Sequence, residues 1–327
     1  MKFTLHLKAL GLVLFAACAG TAGAQTPAAF PSKPVVLVVP TTPGSGADII
    51  SRLISARLSE RWGKPVIVDN KPGASTQIGS TFVAKAPADG HTLLVLANST
   101  VITAAVAKYV TYDMARDFSP VTRLGDAKFV VAVTPGFPAK DIAGLIAHAK
   151  KNPGRTNFAS PGNGSPHHFG IELLKLRQGL HIVHIPYKGI AGAMTDVMGG
   201  QVEMIFSSVT SALPFIRSGR LRAVGVTGTA RSSLLPEVPT FREQGVTAME
   251  DVDTWFGVAA PAKTPPELVQ RLNRDFAAVV NLPEVRAELE KQGITVQTST
   301  PEAFGATIAG DLVRWKQMAK ATRIELE

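Results

Sequence analysis

The chain has 327 residues and a formal charge of +9, with 45% hydrophobic residues against 18% charged. That balance, with a mean hydropathy of +0.16, excludes a disordered regulator, and the 29 Gly and 23 Pro follow no collagen-like period. A chain of this length forms one or two domains and buries roughly three-quarters of its unfolded surface.

Lys2 and Lys8 precede an apolar run from Ala9 to Ala17 that ends in small residues and Ala22-Gly23-Ala24. This is the pattern of a secretory signal peptide, residues 1–24, and it directs the mature chain to the periplasm. Cys18 is the single cysteine. Phe15-Ala16-Ala17-Cys18 distantly resembles a lipoprotein box, but Phe15 stands where Leu is usual, so cleavage after Ala24 is favoured over lipid anchoring. The mature chain then lacks cysteine, which removes disulfides, thiol catalysis and thiolate metal sites together. Loss of the two leader lysines takes the formal charge from +9 to +7. The cations are scattered and not interleaved with aromatics, so small anions are expected as partners and nucleic acid is not.

From Lys33 onward, short Val- and Ile-rich runs alternate with turns and with segments of helical period, the grammar of an α/β protein. Val35 to Val39 reads as a strand and Thr41 to Gly46 as a turn. Ile49, Ile50, Leu53, Ile54 and Leu58 form one face of a helix ending before Gly63. Strands follow at Val66 to Val68, Thr92 to Leu96, Val130 to Val133, Thr156 to Ala159, His181 to Ile185, Val202 to Phe206 and Leu221 to Val226. Helices are expected at Ile142 to Lys150, His168 to Gln178, Ile190 to Met198 and Ser211 to Ser218. The last stretch reads as three helices opened by Pro266, Pro283 and Pro301.

Three strand-to-helix junctions are rich in Gly, Ser and Pro: Pro40 to Asp48, Ser160 to His167 and Pro186 to Gly189. Free amides in a helix's first turn, its partial positive charge and the close approach that Gly permits make such junctions suited to anions. In open α/β sheets ligands bind beyond the carboxyl ends of strands, where these junctions lie. Other chemistries lack their patterns. Gly44-Ser45-Gly46 is followed by Ile49 where a dinucleotide fingerprint needs Gly, no Walker loop is present, and Gly73-Ala74-Ser75-Thr76-Gln77 fails as a nucleophile elbow.

His167, His168, Glu172, His181 and His184 make up the richest ligand-type cluster. Zinc needs at least three such groups converging, and a helix start with one strand histidine and a solvent-facing Glu172 explains them better. No metal or cofactor is expected, and His167 is assigned a hydrogen bond. Asp48 and Asp196 suit capping or loop-holding roles more than catalysis, Lys188 is a possible partner for an anion, and Trp255 and Phe256 are core or cleft wall.

The order of short motifs resembles the Bug family, the extracytoplasmic solute receptors of tripartite tricarboxylate transporters. The motifs include Asn70-Lys71-Pro72-Gly73-Ala74, Ala86-Pro87-Ala88-Asp89-Gly90, Asp117-Phe118-Ser119-Pro120-Val121, Pro186-Tyr187-Lys188-Gly189, Gly199-Gly200-Gln201-Val202 and Ala260-Pro261-Ala262-Lys263-Thr264-Pro265. The resemblance implies a two-lobed periplasmic-binding-protein fold, type II-like, with the ligand in the interlobe cleft. Laid on this chain, it gives a first lobe of residues 25–125 and 229–327 and a second of 126–228. It further implies a monomeric receptor that performs no chemistry, binds a small carboxylate and serves the transporter's membrane subunits. An exported hydrolase or lyase acting on an acidic substrate, or a receptor for a membrane sensor kinase, is the alternative.

By position, the family's ligand contacts fall on Thr42, Gly46, Ala47 and Asp48 in one lobe. In the other they fall on Ser160, Asn163, Gly164, Ser165, Tyr187, Lys188, Gly189 and Asp196. Three departures stand out. Thr41 replaces a common Phe, Ser75-Thr76-Gln77 replaces Gly-Gly-Asn, and Gly192 replaces a frequent Pro. The first two add space and polar reach, with Gln77 toward a distal group. This favours an aromatic dicarboxylate lying against Tyr187 or Trp255.

Overall fold

The computed structural model describes residues 30–322 except 248, 250 and 251, together with Ile324. The expected leader and Cys18 lie outside the described residues. Among those described, no helix is long and apolar enough to cross a membrane.

The chain begins with β1 (Val35–Val39), α1 (Gly46–Trp62), β2 (Val66–Asn70), α2 (Gln77–Ala84), β3 (Thr92–Ala97) and α3 (Asn98–Val106). In α1, Ile50, Ile54, Leu58 and Trp62 recur every fourth residue and are buried, the stripe that lays a helix onto a sheet. Ser45 caps its start by accepting the Asp48 N–H at 3.3 Å, and Gly63 ends it in the left-handed conformation, φ 63°. β1 pairs in parallel with β2 and β3.

β4 (Phe118–Ala127) belongs to this first sheet, yet after Lys128 alone the chain enters β5 (Phe129–Val133) of a second one. The second sheet continues with α4 (Ile142–Lys151), β6 (Asn157–Ser160), α5 (Pro166–Gln178), β7 (Val183–Pro186), α6 (Ile190–Met198), β8 (Met204–Ser208), α7 (Val209–Arg217) and β9 (Arg222–Val226). β10 (Thr254–Pro261) returns to the first sheet, followed by α8 (Pro266–Val280), α9 (Pro283–Lys291), β11 (Ile294–Val296) and α10 (Pro301–Thr322). The sheets run β11-β4-β10-β3-β1-β2 and β7-β6-β8-β5-β9. This is an α/β fold of two lobes. The three proline-opened helices lie where the sequence places them.

The core contacts place the return crossing later than residue 229. Leu235 and Val238 pack with Val130 and Ile205, and Phe241, Val246, Met249 and Val252 with Phe129 and Phe206. The described residues after β9 therefore stay with the second sheet up to Val252. They contain little regular structure, so neither strand nor helix period signals their allegiance. The Ser211 to Ser218 helix starts earlier, at Val209, directly after β8 without a turn.

Candidate functional site

A cavity of about 410 Å³ lies between the lobes. Six helices start on its wall among the described residues. Gly46 and Ala47 open α1, Thr76 precedes α2, Asn98 and Ser99 open α3, Ser165 caps α5, Gly189 precedes α6 and Ser208 caps α7. Each follows the carboxyl end of a strand, so the first-turn amides of both lobes face a common space. Side-chain caps occupy one amide of α1, α5 and α7, whereas α3 and α6 have no side-chain cap.

Among the described residues Lys188 is the one formally charged side chain on the wall, and no carboxylate lines it. Helix termini and this ammonium therefore give the space a positive potential. Among the expected residues, Thr41, Thr42, Gly46, Ala47, Asn163, Ser165, His167, Tyr187, Lys188 and Gly189 line the cavity.

Asp48, Gln77, Ser160, Gly164 and Asp196 do not, and the structure gives each another partner. Asp48 is buried, accepts the Gly44 N–H at 2.9 Å and pairs with Arg52 at 2.9 Å. Burial pushes its carboxyl up, but the bonds from Arg52, Gly44 and Asn70 outweigh that and hold it below its usual value. Ser160, with no exposed surface, shares a 2.6 Å hydrogen bond with His184 Nε2. The Gly164 N–H donates to His168 Nδ1 at 3.2 Å. Asp196 accepts the Tyr187 hydroxyl at 2.6 Å. Burial and that carboxylate push the phenol up to about 12, so Tyr187 stays protonated. The Gln77 side chain is turned from the cavity, accepting the Thr111 N–H at 3.2 Å. These side chains shape the loops that bear the wall.

Trp255 is also off the wall. Neighbouring strand residues face opposite sides. Trp255 therefore packs edge-on to Phe304 at 5.2 Å and donates Nε1–H to Asp311, while Phe256 reaches the cavity.

His168 and His184 stack at 3.9 Å beneath the Ser160–Ser165 loop. Glu172 is folded in, 3.7 Å from His168 and 2.6 Å from Lys175, contrary to its expected place in solvent. His181 is exposed. No group of three His, Cys, Asp or Glu among the described residues is arranged to hold a metal. His167 lines the cavity, its ring edge-on to Phe129 at 5.1 Å, with Nδ1 buried and without a partner. Burial lowers its pKa to about 3, so the ring is neutral.

The sequence reading missed the Asn98–Ser99 and Ser208–Ser211 starts, where strand passes to helix with no glycine. A Ser- or Asn-rich dipeptide directly after an apolar run, as in Leu96-Ala97-Asn98-Ser99 and Phe206-Ser207-Ser208, is the signal that marks them. It also missed Phe129.

Three bridges join the lobes around the cavity. Ser75 Oγ donates to the Asn163 carbonyl at 3.3 Å and Ser211 Oγ to the Gly44 carbonyl at 3.3 Å. Gly189 packs on Thr42 so closely that a β-carbon there would lie 2.5 Å from Thr42 Cγ2. Ala74, Ser75 and Thr76 keep a left-handed backbone, φ 45°, 51° and 79°, which is uncommon for residues with side chains.

A family model for the tripartite tricarboxylate transporter family receptor matches residues 50–324. Protein BugT of Bordetella pertussis is 33% identical, over 100% of both chains. Among solved structures, Rpa4515 of R. palustris, described with adipate, is 32% identical with a TM-score of 0.87, covering 91% of this chain and 100% of its own. MatC of Rhodopseudomonas palustris, described with bound malate, is 28% identical with a TM-score of 0.83, covering 88% and 99%.

Proposed function

The chain belongs to the tripartite tricarboxylate transporter receptor family, and from that premise we propose that it captures a small organic carboxylate between its lobes in the periplasm. It hands that solute, unchanged, to the membrane subunits of such a transporter. The observation that carries this reading is the convergence of six helix starts and one ammonium on a cavity that no carboxylate lines among the described residues. Its volume of about 410 Å³ suits a small molecule. The adipate and malate descriptions of two relatives support the same solute class. A hydrolase is less well supported, because the Ser160–His184 pair lies beneath the loop and off the wall.

The hydroxyls and amides of Thr42, Gly46, Ala47, Ser165 and Gly189 are the proposed carboxylate contacts, with Tyr187 and Lys188 beside them. Asp48 and Asp196 act by holding those loops. Within the carboxylates, an aromatic diacid is the proposed solute. Thr41 stands where the family commonly has Phe, its hydroxyl tied to Ser45 Oγ at 2.7 Å, and Phe256 and Phe129 supply apolar wall from either lobe.

A thermal-shift panel of mono-, di- and tricarboxylates tests the solute class. A true solute at 100 times its dissociation constant stabilises the fold by about 2.7 kcal/mol. No shift with any carboxylate, or consumption of the compound, sinks the receptor reading. Calorimetry with a benzene dicarboxylate, a benzene monocarboxylate and a four-carbon diacid tests the finer claim. The aromatic diacid should bind tightest and lose its lead in Thr41→Phe, whereas tighter binding of the four-carbon diacid overturns the aromatic assignment.

A further inference from the structure

Six large apolar side chains stand exposed among the described residues; two of them, Ile78 and Phe82, lie on α2, and two more, Ile67 and Tyr109, lie on segments held to it. Ile78 and Phe82 are four apart and share a helix face. Lys71, just past β2, holds its ammonium 4.5 Å over the Phe82 ring, bringing the end of the strand that carries Ile67 to this helix. Gln77 and Thr81 both bond Thr111, which lays the segment bearing Tyr109 along α2. Exposed apolar residues are ordinary when scattered, and a cluster marks an interaction surface.

The rim of the cluster is basic. Lys71 is paired with Asp69 at 2.9 Å, while Lys85 and Lys108 are exposed and form no ion pair among the described residues. A complementary surface therefore has an apolar centre and carboxylates around it.

The place matters as much as the chemistry. Thr76 precedes α2 and, with Ala74 and Ser75, lines the cavity. Ser75 also makes the bridge to Asn163 in the other lobe. Ile78 covers the outside of that loop, lying 2.5 Å from where a β-carbon on Gly73 would sit. The exposed cluster is thus the outer face of a segment whose inner face lines the cavity.

We propose that the Ile67–Ile78–Phe82–Tyr109 surface is where the membrane subunits of the transporter dock, through an apolar patch of their own ringed by carboxylates. This rests on the reading that the chain serves such a transporter. A partner gripping α2 engages directly the segment that bridges the lobes.

The test is co-sedimentation of the purified chain with membrane vesicles that carry the host's tripartite-transporter membrane subunits, and with vesicles that lack them. Retention should require the subunits. It should fall at least tenfold in Phe82→Asp and in the Lys85→Glu, Lys108→Glu double variant, and stay unchanged in Leu176→Asp, which alters an exposed apolar residue elsewhere. Circular dichroism and the carboxylate thermal shift on the same variants show whether fold and solute site are intact. Full retention of folded Phe82→Asp, equal loss in Leu176→Asp, or no retention of the unaltered chain overturns the docking face. So does a wild-type dimer that Phe82→Asp splits, since the patch is then covered by a second copy. Absence of any carboxylate shift in the unaltered chain is a separate result that speaks against the receptor reading.

Discussion

Gly189 combines a backbone at φ 145° with a β-carbon position 2.5 Å from Thr42 Cγ2 and 2.9 Å from its hydroxyl. Gly189→Ala therefore carries both backbone strain and a clash that arises only with the lobes together. Carboxylate affinity should fall at least tenfold, and Thr42→Ala in the same chain should restore part of it, because Thr42 Cβ lies 3.3 Å away. Calorimetry on the single and double variants checks this, and no recovery places the defect in the backbone alone. His184 makes a different prediction. Burial first, then the neighbouring His168, lowers its pKa to about 3, against about 6.5 in an unfolded chain. The folded protein thus binds fewer protons than the unfolded one between those values. The stability His184 confers is complete above pH 6.5 and drains away as pH falls toward 3. His167 adds to the same trend. Asp126 and Asp253, whose carboxyls burial pushes up, oppose it. The His184 share is read by comparing melting temperatures of the wild type and His184→Gln from pH 7 to 5. The variant should lose less on acidification, and parallel curves would remove His184 from the account.

The elements that surround the cavity differ in how openly the sequence announces them. Glycine, serine and proline after a short strand expose the starts of α1, α5 and α6, because a tight turn must be built there and only certain residues build it. The starts of α3 and α7 have no turn to build, so only the polar pairs Asn98-Ser99 and Ser207-Ser208 mark them. The helix α2 is harder still. It contains Gly79 and follows Thr76 in left-handed backbone, a conformation that sequence preference assigns to Gly or Asn. Gln77 was expected to reach the solute because its type suits that role, but which way it faces depends on the 108–111 segment, packed there from elsewhere in the chain. At α7 the legible chemistry supports a prediction. Ser208 Oγ accepts the Ser211 N–H at 3.3 Å, so Ser208→Ala should cost about 1 kcal/mol of stability in chemical denaturation. A variant as stable as the wild type would show that the cap contributes nothing at this helix.

At the scale of the whole molecule, the lobes are joined by two kinds of contact with different tolerance for motion. On one side Ile102, Phe169 and Trp315 form an apolar cluster from α3, α5 and α10, with Phe169 and Trp315 rings 5.5 Å apart and Trp315 wholly buried. The two crossings are tied by Lys128, 3.4 Å from the Thr227 carbonyl and 3.9 Å from Asp253. These contacts are dense or bound into the connecting chain. The Ser75–Asn163 and Ser211–Gly44 bonds are exposed, and water replaces each of them readily. For an opening motion the expected outcome is that the lobes part at the serines while the Trp315 side holds. Because both bonds compete with water, each contributes near the low end of its range, about 0.5 kcal/mol. Removing both in Ser75→Ala, Ser211→Ala should then weaken carboxylate binding about fivefold, since about 1.4 kcal/mol is tenfold. The loss should appear as faster dissociation with little change in association, the outcome expected where the lobes close over a solute already bound. Stopped-flow release of the best carboxylate from the thermal-shift panel reads the rate, and small-angle scattering reads the shape. Saturation should reduce the radius of gyration in the wild type, and less completely in the double variant. Wild-type release from the double variant, together with an unchanged scattering profile, would mean that neither serine takes part in closure.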